Sequence, residues 1–89
     1  MFTLSEKRAY YKKKSLVSHD FNESAHARGF LNGSSDNFSK RHYEEEKREL
    51  SEAWKLLKQS KNESDREIYL ESISYSRGCL RGYEAKNKK

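Results

Sequence analysis

The sequence predicts an all-α protein, a small four-helix bundle built from two related antiparallel helical hairpins of which the second is longer. Three observations predict this fold class. The 89 residues contain no proline, so nothing in the chain prevents long helices. Apolar residues recur at helical steps of three and four positions rather than in strand-like alternation. A nine-residue motif also occurs twice, beginning at residue 25 and again at residue 74, which indicates two related halves of a single domain, residues 1–89.

The repeated motif reads small-x-small-Arg-Gly-x-Leu-x-Gly, over residues 25–33 and 74–82. Residues four apart share one face of a helix, and small side chains on that face let a second helix approach closely. Because glycine inside a helix costs about 1 kcal/mol relative to alanine, we interpret the glycines as packing positions. The alternative is a site where backbone meets a ligand or partner, with Arg28 and Arg77 as twin anion contacts rather than braces of the helix pair. The predicted helix-packing residues are Ala25, Gly29, Gly33, Ser74, Gly78 and Gly82.

The first hairpin is expected to cover about residues 5–33. Its first helix is predicted over about 6–14 with Ser5 as the N-cap, and its basic end suits the helix dipole. Asp20, with a glutamate three positions later, has the spacing of a capping box and predicts the start of a second helix. That helix is expected to end at Gly33.

The second hairpin is expected to cover about residues 37–84, and its first helix about 37–59. The stretch 44–49 is fully charged, which is typical of a solvated helix surface and less often of an acidic contact site. Near-heptad spacing predicts an apolar stripe on this helix that consists of Phe38, Tyr43, Leu50, Trp54 and Leu57, with Ala53 beside it.

The last helix is expected to start near Asn62 or Ser64 and to continue to the second copy of the motif. Residues 85–89 are predicted to form a basic, frayed tail. Helical spacing predicts a buried face that consists of Ile68, Tyr69, Ile73, Ser76, Leu80 and Tyr83.

The sequence shows no pattern of residues that is typical of a catalytic site or of a metal site. The three histidines lack the spacing of a metal site, and Cys79, the only cysteine, cannot complete one or form an internal disulfide. No nucleophile motif such as Gly-x-Ser-x-Gly and no phosphate-cradling glycine loop occurs. We therefore predict a protein that is not an enzyme and uses no cofactor and no metal.

The strongest positive signal is a basic stretch interleaved with tyrosines at residues 7–14, and a similar composition towards the C-terminus. Lysine and arginine contact phosphates, and tyrosine rings stack on unpaired bases. The sequence therefore predicts a small basic binding or regulatory protein that contacts nucleic acid or a ribonucleoprotein. The candidate residues are Lys7, Arg8, Tyr11, Lys12, Lys13, Lys14, Arg28, Arg77, Arg81 and Lys86.

The competing interpretation is a protein–protein adaptor or inhibitor, of the kind of small regulator that phages and plasmids encode, docking on a larger complex. Leu, Ile, Val and Phe supply 15 of the 89 residues, a low share for an independent core. A partner or a homodimer could supply the missing burial. The N-terminus lacks the apolar run of a signal peptide, and no segment has the composition of a membrane span. We therefore expect a cytoplasmic location and no membrane association.

Overall fold

The computed structural model describes residues 2–87, which form four α-helices. They are α1 (Leu4–Val17), α2 (Phe21–Gly33), α3 (Lys40–Gln59) and α4 (Glu63–Asn87), and no strand occurs in these residues. The predicted all-α bundle is therefore confirmed. None of the four helices combines the length and the apolar content that crossing a bilayer requires.

The bundle is organised around the pair formed by α2 and α4. Helix α1 packs on α2, and α3 packs on α4, so each hairpin contributes one inner and one outer helix. The two copies of the repeated motif lie on the two inner helices. The repeat therefore builds the centre of the molecule.

The inner helices meet backbone to backbone at the central glycines of the motif. A Cβ atom added to Gly29 would lie well within 3.0 Å of the carbonyl oxygen of Tyr75, and one added to Gly78 would lie as close to the carbonyl oxygen of His26. His26 and Tyr75 occupy equivalent positions of the repeat. The two contacts are therefore reciprocal, as in a pair of elements related by a two-fold axis.

The second glycine of each copy repeats this relationship. A Cβ atom on Gly33 would collide with the backbone of Cys79, and one on Gly82 would collide with the carbonyl oxygen of Phe30, which is again an equivalent pair. No glycine has a positive φ. The glycines are thus explained by the missing side chain and not by an unusual backbone conformation.

The remaining small residues of the motif differ between the copies. Ala25 is fully buried at the interface, whereas its equivalent Ser74 is only half-buried. Ala27 and Ser76, also equivalent, are both buried. The largest fully buried side chains of the protein are Ser76 and Cys79, so its centre contains backbone and small groups rather than large apolar ones.

Helix α1 is longer than the sequence predicted, at both ends. It begins at Leu4 because Thr3, and not Ser5, is the N-cap: the Glu6 amide donates to Thr3 Oγ1 (3.2 Å) and the Thr3 amide donates to Glu6 Oε1 (3.2 Å). This capping box satisfies two amides that the first turn leaves free. The helix then continues to Val17, three residues beyond the predicted end.

Helix α3 begins later than predicted, at Lys40 rather than near residue 37. The Ser39 amide donates to His42 Nδ1 (3.1 Å) at the start of the helix. Phe38 was predicted as part of the helical stripe but lies before the helix, where it is buried against Tyr83, with 5.9 Å between ring centroids. Tertiary packing of this ring therefore overrides the helical spacing.

The apolar stripe between α3 and α4 is narrower than predicted. Its buried members are Ala53, Leu57 and Ile73, with Leu50, Tyr69 and Leu70 packed against them. Trp54 and Ile68, which were predicted to be buried, are 41 % and 62 % exposed. Trp54 directly follows the buried Ala53, and Ile68 directly precedes Tyr69. Because neighbouring residues of a helix are about 100° apart around its axis, both side chains lie away from the contact.

Helix α4 also ends later than predicted. Asn62 Oδ1 accepts hydrogen bonds from the amides of Ser64 (2.8 Å) and Asp65 (3.4 Å) at its start. The predicted frayed tail is wrong for residues 85–87, which are helical. The last two positions of that predicted tail, residues 88–89, lie outside the described residues.

Replacing Gly29 or Gly78 with alanine is predicted to destabilise the fold by about 3 kcal/mol, because the opposing backbone cannot move aside. An alanine in an exposed helix would instead stabilise by about 1 kcal/mol relative to glycine, so the sign of the change is diagnostic. Chemical denaturation followed by circular dichroism measures it. The exposed α4 change Ser72→Ala is the control and should stay within about 0.5 kcal/mol of the parent. Unchanged stability of the glycine variants would contradict the close-packing explanation.

Candidate nucleic-acid interface

A large open groove lies between the N-terminal half of α1 and the C-terminal part of α4. Its volume is about 1150 Å³. Aromatic residues are the largest class in its lining, and we call it the aromatic groove. The rings that line it belong to Phe2, Tyr10, Tyr11, Phe30, Tyr43 and Tyr83.

The two basic segments that the sequence singled out flank this one groove. Lys7 lines it from α1 and Arg81 lines it from α4. Tyr11, one of the candidate residues, is half-buried and stacks on Phe30 with 4.2 Å between ring centroids. Tyr11 therefore forms part of the groove floor, whereas the neighbouring Tyr10 is 55 % exposed.

Two of the candidate cations hold backbone carbonyl groups inside the protein. Arg8 Nη1 donates to the carbonyl oxygen of Leu31 (2.8 Å) and to Ser34 Oγ, at the end of α2. Lys86 Nζ donates to the carbonyl oxygens of Ser35 (2.8 Å) and Phe38 (2.6 Å) in the loop before α3. The C-terminal end of a helix carries partial negative charge, so these cations stabilise the end of α2 and the loop after it.

Two further candidates form ion pairs between elements. Lys14 Nζ lies 2.5 Å from Glu23 Oε1, and this carboxylate raises the pKa of the Lys14 ammonium group. Arg28 Nη2 lies 3.3 Å from Glu71 Oε1, linking α2 to α4 at an exposed position. Exposed pairs of this kind are screened by water and contribute little to stability. Both cations nevertheless already have a partner.

The other five candidate cations make no side-chain hydrogen bond and no ion pair with any residue in the range 2–87. Arg77 and Arg81 both lie near His26, and burial together with these two charges lowers the pKa of the His26 imidazole. His26 in turn lies 5.7 Å from Tyr11 between ring centroids, so both arginines lie on the side of the molecule that α1 covers. The five cations without partners are Lys7, Lys12, Lys13, Arg77 and Arg81.

The carboxylates that line the aromatic groove are engaged by the protein itself. Glu6 belongs to the capping box of α1. Glu84 Oε2 accepts a hydrogen bond from Tyr43 Oη (2.8 Å), and this bond raises the pKa of the Tyr43 phenol. Tyr43 also stacks on Tyr83 with 4.7 Å between ring centroids. The groove therefore combines fixed aromatic walls with cations that lack partners.

A second, polar cavity of about 330 Å³ lies where α3 covers the inner helices. Glu46 Oε2 is inaccessible to solvent there and has no hydrogen-bond partner among residues 2–87. Burial, followed by the neighbouring Glu49 carboxyl group, raises the pKa of Glu46 to about 7. Nearby, Asn32 Nδ2 donates to Tyr75 Oη (2.9 Å), and burial raises the pKa of the Cys79 thiol to about 11. Within residues 2–87 no group of three or more His, Cys, Asp or Glu side chains could hold a metal ion.

Sequence reasoning did not find several residues of these two sites. Phe2, Tyr10 and Tyr43 line the aromatic groove but were not among the candidate binding residues, although Tyr10 lies in the basic stretch 7–14 and Tyr43 in the predicted apolar stripe. Nothing in their spacing relates α1 to the end of α4. Glu46 lies within a charged run that predicts a solvated surface. Its burial results from α3 packing on α4, which the run itself does not encode.

Comparisons with family models, with curated proteins and with solved structures give no match.

Glu46→Gln is predicted to change how stability depends on pH. The pKa of Glu46 is raised from 4.5 to about 7, so the folded state holds a proton that the unfolded state has released between these values. The contribution of protonated Glu46 to the free energy of unfolding is thus fully present below pH 4.5 and is lost as the pH rises through about 7. The variant should match the parent at pH 5 and exceed its stability at pH 8 by about 1 kcal/mol, allowing for partial exposure.

Urea denaturation of both proteins between pH 5 and 8 measures this difference. The lowered pKa of His26 acts in the opposite sense, since stability is lost as the pH falls below 6.5, but it cancels because both proteins contain His26. Glu52→Gln, at an exposed α3 position, is the control and should leave the profile unchanged. Parallel profiles for the parent and Glu46→Gln would contradict the assignment.

Proposed function

We propose that this protein is a non-catalytic, small basic binding protein that contacts nucleic acid, free or in a ribonucleoprotein, through α1 and the C-terminal part of α4. One observation carries the proposal. Lys7 and Arg81, which belong to two basic segments far apart in the sequence, line a single aromatic groove, and five cations of these segments have no side-chain partner among the described residues.

The distinction between free and engaged cations decides which residues should carry affinity. A lysine that neutralises a phosphate releases condensed counterions, which favours binding at low salt. Lys12 and Lys13 are exposed and have no partner to give up. Arg8 and Lys86 would have to give up hydrogen bonds to partly buried carbonyl groups, and hydrogen bonds made by a charged group are among the stronger ones. We therefore propose the five free cations as the phosphate contacts.

The side chains of the groove favour binding over catalysis. Its lining contains no serine, cysteine or histidine that could act as a nucleophile or as a base. Its two carboxylates, Glu6 and Glu84, are held by the α1 cap and by Tyr43. Neither is positioned as a free general base.

Replacing Lys12 and Lys13 together with glutamine is predicted to weaken binding to nucleic acid of any sequence. Each lost phosphate contact lowers the slope of log K against log salt by about 0.7 to 0.9, so the slope should fall by about 1.4 to 1.8. Fluorescence anisotropy at several salt concentrations measures both quantities. The matched control is Lys55→Gln with Lys58→Gln, which removes the same charge from exposed positions of α3. The absence of binding by the parent protein at low salt would remove the proposal, since electrostatic attraction is strongest there.

A second candidate function is binding to a protein, as an adaptor or inhibitor. Three large apolar side chains are exposed where α1 turns into α2: Leu16 (77 %), Val17 (61 %) and Phe21 (80 %). Single exposed apolar residues are normal, but a group of them at one corner is typical of an interaction surface. This corner favours a protein partner or a second copy of the chain.

Leu16→Ser combined with Phe21→Ser is predicted to abolish such an interaction while nucleic-acid binding is unchanged, because neither residue lines the aromatic groove. Sedimentation velocity detects self-association, and pull-down from the nuclease-treated native host detects another protein. Ile68→Ser, which alters an exposed apolar residue on α4, is the control. Two results together would contradict this second function: the parent protein is monomeric, and it captures the same proteins as the double variant.

A further inference from the structure

We infer that the aromatic groove accepts the unpaired bases of a single-stranded nucleic acid and discriminates against a duplex. This inference rests on the proposed function and specifies its ligand. It follows from three properties of the groove: the exposure of the Tyr10 ring, the stacking of the rings behind it on one another, and the placement of its charges.

Two rings that line the groove are exposed to solvent, those of Phe2 (71 %) and Tyr10 (55 %), and of these Tyr10 lies on α1 among the basic residues 7–14. It meets Tyr11 edge to face, with an interplanar angle of 80° and 5.2 Å between centroids. Lys14 Nζ lies 5.4 Å from the Tyr10 ring centroid. Exposed tyrosines of this kind offer a stacking surface to any base, because every base has a π-face.

The rings behind Tyr10 are already paired with one another. Tyr11 stacks on Phe30 at 4.2 Å, and Tyr43 stacks on Tyr83 at 4.7 Å. The Tyr43 hydroxyl is further fixed by its hydrogen bond to Glu84. These pairs form walls that need no rearrangement when a base enters, which lowers the entropic cost of binding.

The charges fit a phosphate backbone that runs along the groove. Lys7 lies in one wall and Arg81 in the other, and Arg77 lies one helical turn before Arg81. The side chains of these three residues make no hydrogen bond and no ion pair with another described residue. The carboxylates of the groove, by contrast, are engaged within the protein, as described above. A strand could therefore place its phosphates against the cations and a base against Tyr10.

A duplex would use only part of this surface. Its bases are stacked and hydrogen-bonded inside the helix, so their π-faces are unavailable to Tyr10. It could still meet the exposed Lys12 and Lys13 through its phosphates. The stacking contribution therefore favours single strands, while the contribution of these lysines is common to both forms.

The test compares one 12-nucleotide sequence as single-stranded RNA, as single-stranded DNA and as the two matching duplexes, at about 50 and 150 mM salt, with the parent protein and Tyr10→Ala. We expect at least about fivefold tighter binding of the single strands. Tyr10→Ala should weaken single-strand binding about tenfold and leave duplex binding unchanged, and Tyr10→Phe should restore it. Tighter binding of RNA than DNA, or equal binding of both, is consistent with stacking and reports whether the 2′-hydroxyl is also contacted.

Trp54→Ala is the matched control, because Trp54 is an exposed aromatic residue on α3 that does not line the groove. Thermal melts establish that each variant is folded. Equal binding of single strands and duplexes, with no effect of Tyr10→Ala, would overturn this inference and leave the proposed electrostatic function in place. No binding of any of the four nucleic acids at 50 mM salt would overturn both.

Discussion

The close contact between the backbones of α2 and α4 is the constraint on which the rest of this structure depends. At four positions a single added carbon atom would collide with the opposite helix. Such proximity brings many main-chain atoms into dispersion contact, and the sum of these small attractions is large. A chain with few large apolar residues can therefore form a dense centre. The largest fully buried side chains, Cys79 and Ser76, are consistent with this mode of packing.

The same contact determines where the two outer helices lie and hence where the aromatic groove forms. Helix α1 packs on α2, and the C-terminal part of α4 continues past the contact between Gly82 and Phe30 to the loop after α2, where Lys86 binds Ser35 and Phe38. Lys7 and Arg81, one from each basic segment, therefore line the same groove although they lie 74 positions apart in the sequence. The loop between α2 and α3 is fixed to α4 by Lys86, which also holds Phe38 next to Tyr83. The walls of the groove are thus tied to the central helix pair.

Much of the fold could be predicted from the sequence, because its signals are local or periodic. The absence of proline, the capping residues and the small residues four apart predict four helices and a close helix pair. The exposure of Trp54 could not be predicted. The buried stripe is so narrow that a shift of one position along the helix moves a side chain from the buried face to the exposed face. The sequence also does not show which cations bind other groups of the protein and which have no partner there. Arg8 and Lys86 bind backbone carbonyl groups. Every residue has such a group, so the sequence does not show which one a cation binds.

The internal repeat accounts for the contacts in the interior of the protein better than for those at its surface. The two arginines of the repeat have different surroundings, and this difference bears on function. The glycine contacts of the two copies are reciprocal, so the interior conserves the two-fold relationship. Arg28 pairs with Glu71, whereas its equivalent Arg77 has no such partner among the described residues and lies one helical turn before Arg81, which lines the groove. Identical residues in equivalent positions thus have different surroundings, because the outer helices differ. Packing requires the symmetry of the inner pair, and the candidate binding surface arises where that symmetry is broken.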